Sequence, residues 1–273
     1  YDLTVTAGED KVQSYFGMRS VAINGYAIEI NHKPVYQRLV LDQGFYPDGI
    51  WTAPSDEALR RDIEMSMEVG FNGARLHQKV FEERFLYHCD RMGYIVWGEY
   101  ASWGVDISYP EAINCILPEW LEILGRDFNH PAIIGWCPFN ETWDCEGRKQ
   151  INEILAIVYQ TTKTLDPSRP CIDTSGNYHV VTDIFDHHDY TQKPDELREN
   201  LKNFNTPGGL NCPSSHSHRQ TYDCKAPFFV SEYGGIRWTD DTSGWGYGEG
   251  PKTEGEFLTR LKGLTDVLLD DPR

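Results

Sequence analysis

Residues 129–141 of the chain read N-H-P-A-I-I-G-W-C-P-F-N-E. A turn that contains proline leads into a short apolar run over 133–137, and the polar pair Asn140 and Glu141 follows where that run ends. A short apolar run bounded by turn residues is typical of a strand buried on both faces of a parallel sheet. Polar side chains at the carboxyl end of such a strand carry the chemistry in many βα proteins. The same unit recurs on both sides of this stretch.

Seven apolar runs alternate with stretches of helical period. The runs cover 39–41, 71–76, 94–97, 133–137, 171–174, 183–187 and 228–231, and helices are predicted from Ser55 to about residue 70 and over 82–92, 118–128, 151–165 and 254–268. Repeated βα units favour an α/β fold of the (β/α)8 TIM-barrel type. A doubly wound nucleotide-binding sheet is disfavoured, because no G-x-G-x-x-G or P-loop motif follows any run.

The series has no recognisable eighth strand after the helix predicted over 254–268. A barrel short of one strand has an open seam with unpaired edges, and it lacks the rim residue that this strand would present. We therefore expect the chain to be a fragment, incomplete at its C-terminus, with little or no activity when it is alone.

The first 36 residues have a different pattern from the rest of the chain. They alternate like strands, and an Asn31-His32-Lys33 turn lies between 26–30 and 34–36. This pattern predicts a short β tail and a hairpin in front of the barrel. We divide the chain accordingly into a tail over 1–23 and a barrel domain over 24–273.

The charge balance restricts the ligand. The chain has 25 Lys and Arg against 42 Asp and Glu, a formal charge of −17. Such a chain repels polyphosphates, so we expect neither nucleic acid nor an anionic membrane as a partner. Its seven cysteines include no C-x-x-C pair, which indicates reduced thiols, favours the cytoplasm and leaves a periplasmic or secreted parent protein open. We expect no cofactor.

Polar side chains follow most of the runs at their carboxyl ends. In chain order they are Asp42, Arg75, His77, Glu99, Asn140, Glu141, Tyr190 and Glu232. Glu141 and Glu232 end the fourth and seventh runs, so they would face each other across a barrel. Cleavage of a glycosidic bond needs one carboxylic acid to protonate the leaving oxygen and a second carboxylate at the sugar carbon. Arg75 is placed to keep one carboxylate ionised.

Several motifs resemble glycoside hydrolase family 2. They are F-N-G-A-R at 71–75, C-D-R-M-G at 89–93, the N-H-P run at 129–136, Asn140-Glu141 and S-E-Y-G at 231–234. The resemblance implies that residues 1–23 are the end of an immunoglobulin-like β-sandwich and that the remainder is the catalytic barrel. It also implies a retaining exo-β-glycosidase of the β-galactosidase type that acts on a carbohydrate, with β-glucuronidase and β-mannosidase as alternatives. Further domains of a parent protein could make it a homo-oligomer.

The resemblance assigns roles to single residues. It implies that Glu141 is the acid/base and Glu232 the nucleophile, that Asn140 binds the sugar 2-hydroxyl, and that Tyr190 contacts the nucleophile. Arg75 matches the arginine of strand two. Glu99 lies where some β-galactosidases of the family have a metal-linked glutamate, but the partner ligands are not recognisable here, so we expect Glu99 to contact substrate without a metal. The family's Ser-His-Tyr-Pro run is replaced by Leu76-His77-Gln78-Lys79, with Gln78 on the histidine position. This departure weakens the assignment of β-galactoside specificity.

Other interpretations stay open beside this one. Of four tryptophans that could stack on a sugar, Trp103, Trp143, Trp238 and Trp245, we select Trp103 and Trp143, because they follow strand ends closely. His187-His188 and His216-x-His218 suggest a metal-dependent hydrolase. Adjacent histidines on a strand point to opposite faces, so we predict no metal site. A carbohydrate-binding module without turnover is the rival from a different functional class.

Overall fold

The computed structural model describes residues 1–142, 150–203, 225–240 and 244–271. The strands are β1 Asp2–Ala7, β2 Asp10–Tyr15, β3 Val21–Asn24, β4 Ala27–Ile30, β5 Lys33–Pro34, β6 Leu39–Asp42, β7 Gly73–Leu76, β8 Ile95–Glu99, β9 Ile133–Cys137, β10 Phe185–Asp189 and β11 Phe228–Tyr233. The helices are α1 Asp56–Glu68, α2 Glu83–Met92, α3 Ile113–Asp127, α4 Asn152–Leu165, α5 Pro194–Asn203 and α6 Glu254–Leu269.

The predicted parallel strands form an open barrel. Strands β6, β7, β8 and β9 pair in that order in one parallel sheet, and β10 pairs with β11 in a second. The fifth predicted run joins the barrel only through isolated bridges from Trp136 to Cys171 and from Asn140 to Ser175. The Ile172 N–H still donates to the Trp136 carbonyl at 2.9 Å, but side chains take two other donors of the run. Asp183 accepts the Cys171 N–H and Asp173 accepts the Thr174 N–H, each at 2.9 Å.

A seam separates the first and last barrel strands. Within the described residues, β6 pairs only with β7 and β11 only with β10. A cavity of about 690 Å³ opens between them, lined by apolar side chains that include Leu39, Leu41, Phe228, Val230 and Leu268. The prediction of a βα barrel open between its first and seventh strands is therefore confirmed for this part of the chain.

The segment before the barrel consists of two small antiparallel sheets. Strands β1 and β2 form a hairpin that is exposed on both faces, and β3, β4 and β5 form a second sheet. Asn31 and His32 connect β4 to β5 with φ angles of 53° and 62°, so the predicted turn is present. The Tyr15 hydroxyl donates to Asp90 at 2.7 Å and attaches the hairpin to α2. The assignment of residues 1–23 to a separate domain stays a prediction.

The helices agree with the sequence pattern except in two places. Ser55 caps α1 by accepting the Ala58 N–H, as predicted. Helix α3 begins at Ile113 and not near residue 118, because a 3₁₀ turn at Pro110–Ala112 already winds the chain and leaves Pro118 inside the helix. Helix α5 was missed, although its Pro-Asp-Glu start is typical of a helix N-terminus.

Two buried tryptophan rings pack closely against glycines of the neighbouring barrel strands. Trp97 and Trp136 are almost fully buried, and a Cβ added at Gly135 would lie 2.2 Å from the Trp97 ring. Cys89, Cys137 and Cys171 are buried free thiols, as is expected of reduced cysteines. Within the described residues, no helix has the length and apolar character needed to cross a membrane.

We expect Gly135→Ala to destabilise the protein by about 1–3 kcal/mol, because the new methyl group would overlap the Trp97 ring in a closely packed interior. Gly125→Ala in α3 is the matched control. Its Cβ would meet no atom within 4 Å, and the substitution should stabilise the helix by about 0.5–1 kcal/mol. Urea unfolding midpoints measure both effects, and equal midpoints for the two variants would contradict this account of the barrel interior.

Candidate active site

The buried guanidinium of Arg75 connects four of the predicted site residues. Its Nε donates to Glu99 Oε2 at 2.8 Å, Nη1 to Glu232 Oε1 at 2.8 Å, and Nη2 to Asn140 Oδ1 at 2.6 Å. The Nη2 atom also lies 3.2 Å from His77 Nδ1. The Arg75 side chain is 3% exposed. Strand ends that are far apart in sequence therefore meet around one cation.

Glu232 is held in its ionised form. Burial on its own would raise the pKa of Glu232, but His188, Arg75 and the hydrogen bond from Tyr190 together lower it below the usual value. The Tyr190 hydroxyl donates to Glu232 Oε2 at 2.5 Å. Burial and the Glu232 carboxylate both raise the pKa of Tyr190, so this phenol keeps its proton and remains a donor.

Glu141 lies beside Glu232 on a backbone of unusual conformation. Its φ is 45°, in the left-handed region, and its N–H donates to the Ser175 carbonyl at 2.7 Å. Glu141 Oε1 lies 2.9 Å from His188 Nδ1 and accepts from the Tyr190 hydroxyl at 3.3 Å. Ligand atoms of Glu141, His188 and Glu232 all lie within 4.8 Å of one another. The two predicted carboxylates therefore form a close pair.

Sequence reasoning did not select His188, which stands between the two carboxylates. Its Nε2 lies 3.0 Å from Ser175 Oγ and 3.4 Å from Glu232 Oε1. His187 lies elsewhere, with its ring stacked on Phe228 at 6.3 Å. The alternation of side chains along a strand separates the two histidines, as predicted. That alternation, together with the selection of Tyr190 two residues further on, was the signal that could have identified His188.

A buried polar network lies behind His188. Ser175 Oγ donates to Asp186 Oδ2 at 2.6 Å, and the Ser231 hydroxyl donates to the same carboxylate. His179 lies between Asp173 and Asp186, at 2.7 Å from Asp173 Oδ1 and 3.1 Å from Asp186 Oδ1. Burial would lower the pKa of His179, but the two carboxylates raise it to about 10. The two buried carboxylates therefore favour the protonated form of His179.

Gln78 positions the predicted aromatic residue Trp103. Its backbone N–H donates to Glu99 Oε1 at 3.0 Å, and its Oε1 accepts the Trp103 N–H at 3.0 Å. The Trp103 indole donates to the Asn140 carbonyl at 3.1 Å and meets the His77 ring edge-on at 5.4 Å. Trp103 is 58% exposed, so one side of the ring faces solvent at the site.

Three other predictions have different outcomes. Asp42 accepts the Gly44 N–H at 2.8 Å, so its carboxylate holds the loop after β6 and does not take part in the contacts around Arg75. Burial raises the pKa of Asp42. Trp143 lies outside the described residues, as do His216 and His218.

Glu141, His188 and Glu232 are also the group that could hold a metal ion within the described residues. Carboxylate oxygen and imidazole nitrogen are donors that zinc accepts. The same atoms are engaged with one another, with Arg75 and with Tyr190. The chemistry open to the metal-free arrangement is proton transfer by one carboxyl group and attack by the other.

A barrel of parallel strands with a close carboxylate pair at its strand ends is an arrangement typical of glycosidases. The family model described as glycosyl hydrolases family 2, TIM barrel domain, matches residues 21–238. The chain therefore belongs to this family and carries its TIM barrel domain.

Two curated relatives carry different activities in their names. Human beta-glucuronidase is 30% identical over 174 residues, which make up 60% of this chain and 25% of that protein. The beta-galactosidase of Vibrio cholerae is 28% identical over 177 residues, which make up 62% of this chain and 16% of that protein. The chain thus spans a quarter or less of either relative.

Solved structures share the fold. A beta-glucuronidase from an uncultured Clostridium sp. superposes with a TM-score of 0.77 at 18% identity, over 99% of this chain and 48% of that one. A GH2 beta-galacturonidase from Eisenbergiella tayi bound to galacturonate gives a TM-score of 0.74 at 20% identity, over 96% and 47% of the two chains. The chain therefore spans about half of each of these structures.

The raised pKa of His179 predicts how stability changes with pH. An unfolded histidine titrates near pH 6.5, so the folded imidazolium stabilises the protein fully below that value and loses this contribution as the pH rises through about 10. The free energy of unfolding should therefore fall more steeply between pH 7 and 10 in the natural protein than in His179→Gln. Urea unfolding across this range measures the slopes. His32→Gln, at an exposed histidine, should keep the natural slope, and a parallel profile for His179→Gln would contradict the prediction.

Proposed function

We propose that this chain is the catalytic domain of a retaining exo-β-glycosidase that removes the terminal β-linked sugar of an oligosaccharide or glycoside. The observation that carries the proposal is the separation of less than 4.8 Å between oxygens of Glu141 and Glu232. Retaining enzymes place their two carboxyl groups about 5–5.5 Å apart, whereas inverting enzymes leave about 6.5–9.5 Å for a water molecule.

Glu232 is the nucleophile in this mechanism. The lowered pKa keeps it ionised, and Arg75 and Tyr190 each hold one of its oxygens. One carboxylate oxygen attacks the anomeric carbon while the bond from that carbon to the leaving oxygen breaks. The product of this step is a sugar ester of Glu232.

Glu141 is the acid and then the base. It gives its proton to the leaving oxygen in the first step, and in the second step it takes a proton from the water that attacks the same carbon and releases Glu232. His188 and Tyr190 hold the carboxyl group of Glu141 beside the nucleophile, which supports this assignment.

Asn140 is the proposed contact to a sugar hydroxyl. Its Oδ1 is taken by Arg75, whereas its buried Nδ2 has no hydrogen-bond partner among the described residues. An unpaired buried donor costs about 1–3 kcal/mol, so a substrate hydroxyl that accepts from it would be bound with that gain. The fixed orientation of Asn140 supports recognition of the sugar being cleaved.

A β-galactoside is the proposed substrate class, because Arg75 and Lys79, two described cations near the site, already pair with carboxylates. Arg75 pairs with Glu99 and Glu232. Lys79, the basic residue that follows the second barrel strand, donates to the carbonyls of Gly44 and Trp51 and pairs with Glu82. A neutral sugar needs no further positive charge.

A β-uronide is the second candidate. The human relative and the similar structure from an uncultured Clostridium sp. are both named beta-glucuronidases, and another similar structure is a beta-galacturonidase bound to galacturonate. A uronate carboxylate would need a cation beyond those already paired around Arg75 and Lys79. β-Mannosides remain a third possibility that follows from the family resemblance.

Replacement of either glutamate by alanine should lower hydrolysis of a 4-nitrophenyl β-glycoside by about 10²–10⁴-fold or more, because each removes one partner of the acid and nucleophile pair. Added azide distinguishes the two roles. Glu141→Ala should form the β-glycosyl azide from the intact sugar ester, whereas Glu232→Ala should form the α-glycosyl azide by direct attack. Nuclear magnetic resonance of the product reports the configuration.

The azide experiment uses the longest natural protein that carries this sequence. Glu122→Gln, on the exposed face of α3, is the surface control and should keep full activity. Turnover retained in Glu141→Ala and in Glu232→Ala would refute the assignment, and exchanged azide configurations would reverse the two roles.

A panel of nitrophenyl glycosides tests the substrate class. We expect kcat/KM for the β-D-galactoside to exceed that for the β-D-glucuronide and the β-D-galacturonide, because Arg75 and Lys79 are already paired with carboxylates of the protein. Faster cleavage of a uronide would establish the second candidate instead. A binding module without turnover would hydrolyse none of the panel.

A further inference from the structure

A ladder of three aromatic rings leads from Glu232 to the solvent. The Tyr190 hydroxyl contacts Glu232, and the Tyr190 ring stacks on that of Tyr247 with centroids 3.7 Å apart and an interplanar angle of 8°. The Trp245 ring meets Tyr247 edge-on at 5.8 Å. Trp245 is 85% exposed, the largest exposed fraction of any large hydrophobic residue described. Its indole therefore stands in water at the outer end of the ladder.

The loop that carries Trp245 is fixed to the barrel at several points. The Tyr247 N–H donates to the Gly235 carbonyl at 2.8 Å, and Arg260 from α6 donates to the Glu249 carbonyl at 2.8 Å. A Cβ at Gly235 would lie 2.7 Å from the Tyr247 ring, so the glycine permits this close packing. Trp245 is thus exposed next to residues that are hydrogen-bonded to the barrel.

We propose that Trp245 and Tyr247 form a subsite for the leaving group, in which a pyranose or aromatic ring stacks on the Trp245 indole. The proposal rests on the proposed function, because it takes Glu141 and Glu232 as the residues that cut the glycosidic bond. The part of the substrate that meets Trp245 is the part that departs after cleavage.

The position of the ladder decides which half of the substrate it binds. Under the proposed function the sugar to be cleaved binds at Asn140 and Glu232, which lie at strand ends inside the barrel mouth. An exo-acting enzyme encloses that terminal sugar, so whatever extends past the ladder towards solvent is the remainder of the substrate. Tyr247 lies near both carboxylates, which raise the pKa of its hydroxyl in addition to the larger effect of burial. Trp245 is therefore one ring further from the bond that breaks.

The chemistry of the subsite favours an uncharged ring. Indole and phenol faces bind the C–H face of a pyranose or the face of an aromatic aglycone, and a flat ring covers the exposed apolar area of Trp245. Trp238 provides the contrast. It is 51% exposed, but its ring packs against Phe257 of α6 at 5.1 Å and takes no part in the contacts of the ladder.

The experiment compares two substrates with the same sugar and different leaving groups. The 4-nitrophenyl β-glycoside presents a ring to the subsite, whereas the β-glycosyl fluoride presents none. Trp245→Ala should lower kcat/KM for the nitrophenyl substrate by about 3- to 10-fold and leave the fluoride unchanged, since one aromatic contact is lost. Trp245→Phe should restore most of the loss, and Trp238→Ala should behave as the natural protein does towards both substrates.

Binding of non-hydrolysable thioglycosides separates the subsite from the proposed catalysis. By calorimetry, Trp245→Ala should weaken the 4-nitrophenyl β-thioglycoside by about 3- to 10-fold and not affect the methyl β-thioglycoside. Equal effects on both ligands, or no effect on either, would overturn the subsite. A natural protein that binds the thioglycosides but cleaves neither substrate would refute the proposed hydrolysis and leave the subsite supported.

Discussion

The neutralisation of Arg75 inside the barrel is the constraint on which the rest of the site depends. A guanidinium that is 3% exposed is tolerated only where acceptors surround it, and here Glu99, Asn140 and Glu232 supply them from three different strand ends. Loss of one partner from a buried ion pair costs about 3–5 kcal/mol in comparable proteins. Because Glu232 belongs to the β10–β11 sheet and Arg75 to the β6–β9 sheet, their bond also crosses the barrel between the two sheets. Arg75 therefore contributes both to the stability of the fold and to the ionised state of Glu232.

The residues at the strand ends could be predicted because all parallel barrel strands run in the same direction. Once the runs at 71–76, 133–137 and 228–231 were recognised as strands, their carboxyl ends had to converge, and Arg75, Asn140, Glu141 and Glu232 followed from that rule. Asp42 also lies at a strand end, but its side chain does not join the contacts around Arg75. This short side chain accepts the nearest donor, which is the Gly44 N–H of its own loop. The sequence predicts where a residue lies on a strand, but not which partner its side chain hydrogen-bonds.

The features that were not predicted depend on contacts between segments distant in the chain. The sequence does not show which of the possible contacts form. His188 was one of two adjacent histidines, and only the packing of β10 against its neighbours decides which of them faces Glu141. The run at 171–174 was apolar enough to be a strand, yet the carboxylates of Asp183 and Asp173 accept the N–H groups of Cys171 and Thr174. Trp245 was indistinguishable from a loop tryptophan until Tyr247 was found stacked on Tyr190. In each case a polar or aromatic partner distant in sequence determined the result.

At position 141 the residue that suits the backbone conformation differs from the residue that the proposed function needs. A non-glycine residue in the left-handed region costs about 1–2 kcal/mol, and the bond from its N–H to the Ser175 carbonyl holds it there. Glycine would adopt φ 45° without that cost but would have no carboxyl group to offer. Selection for thermal resistance alone would therefore favour glycine at this position, which would remove the carboxyl group that the proposed function needs. If the proposed function is correct, a natural or engineered relative with glycine at this position should be one in which hydrolysis is no longer required.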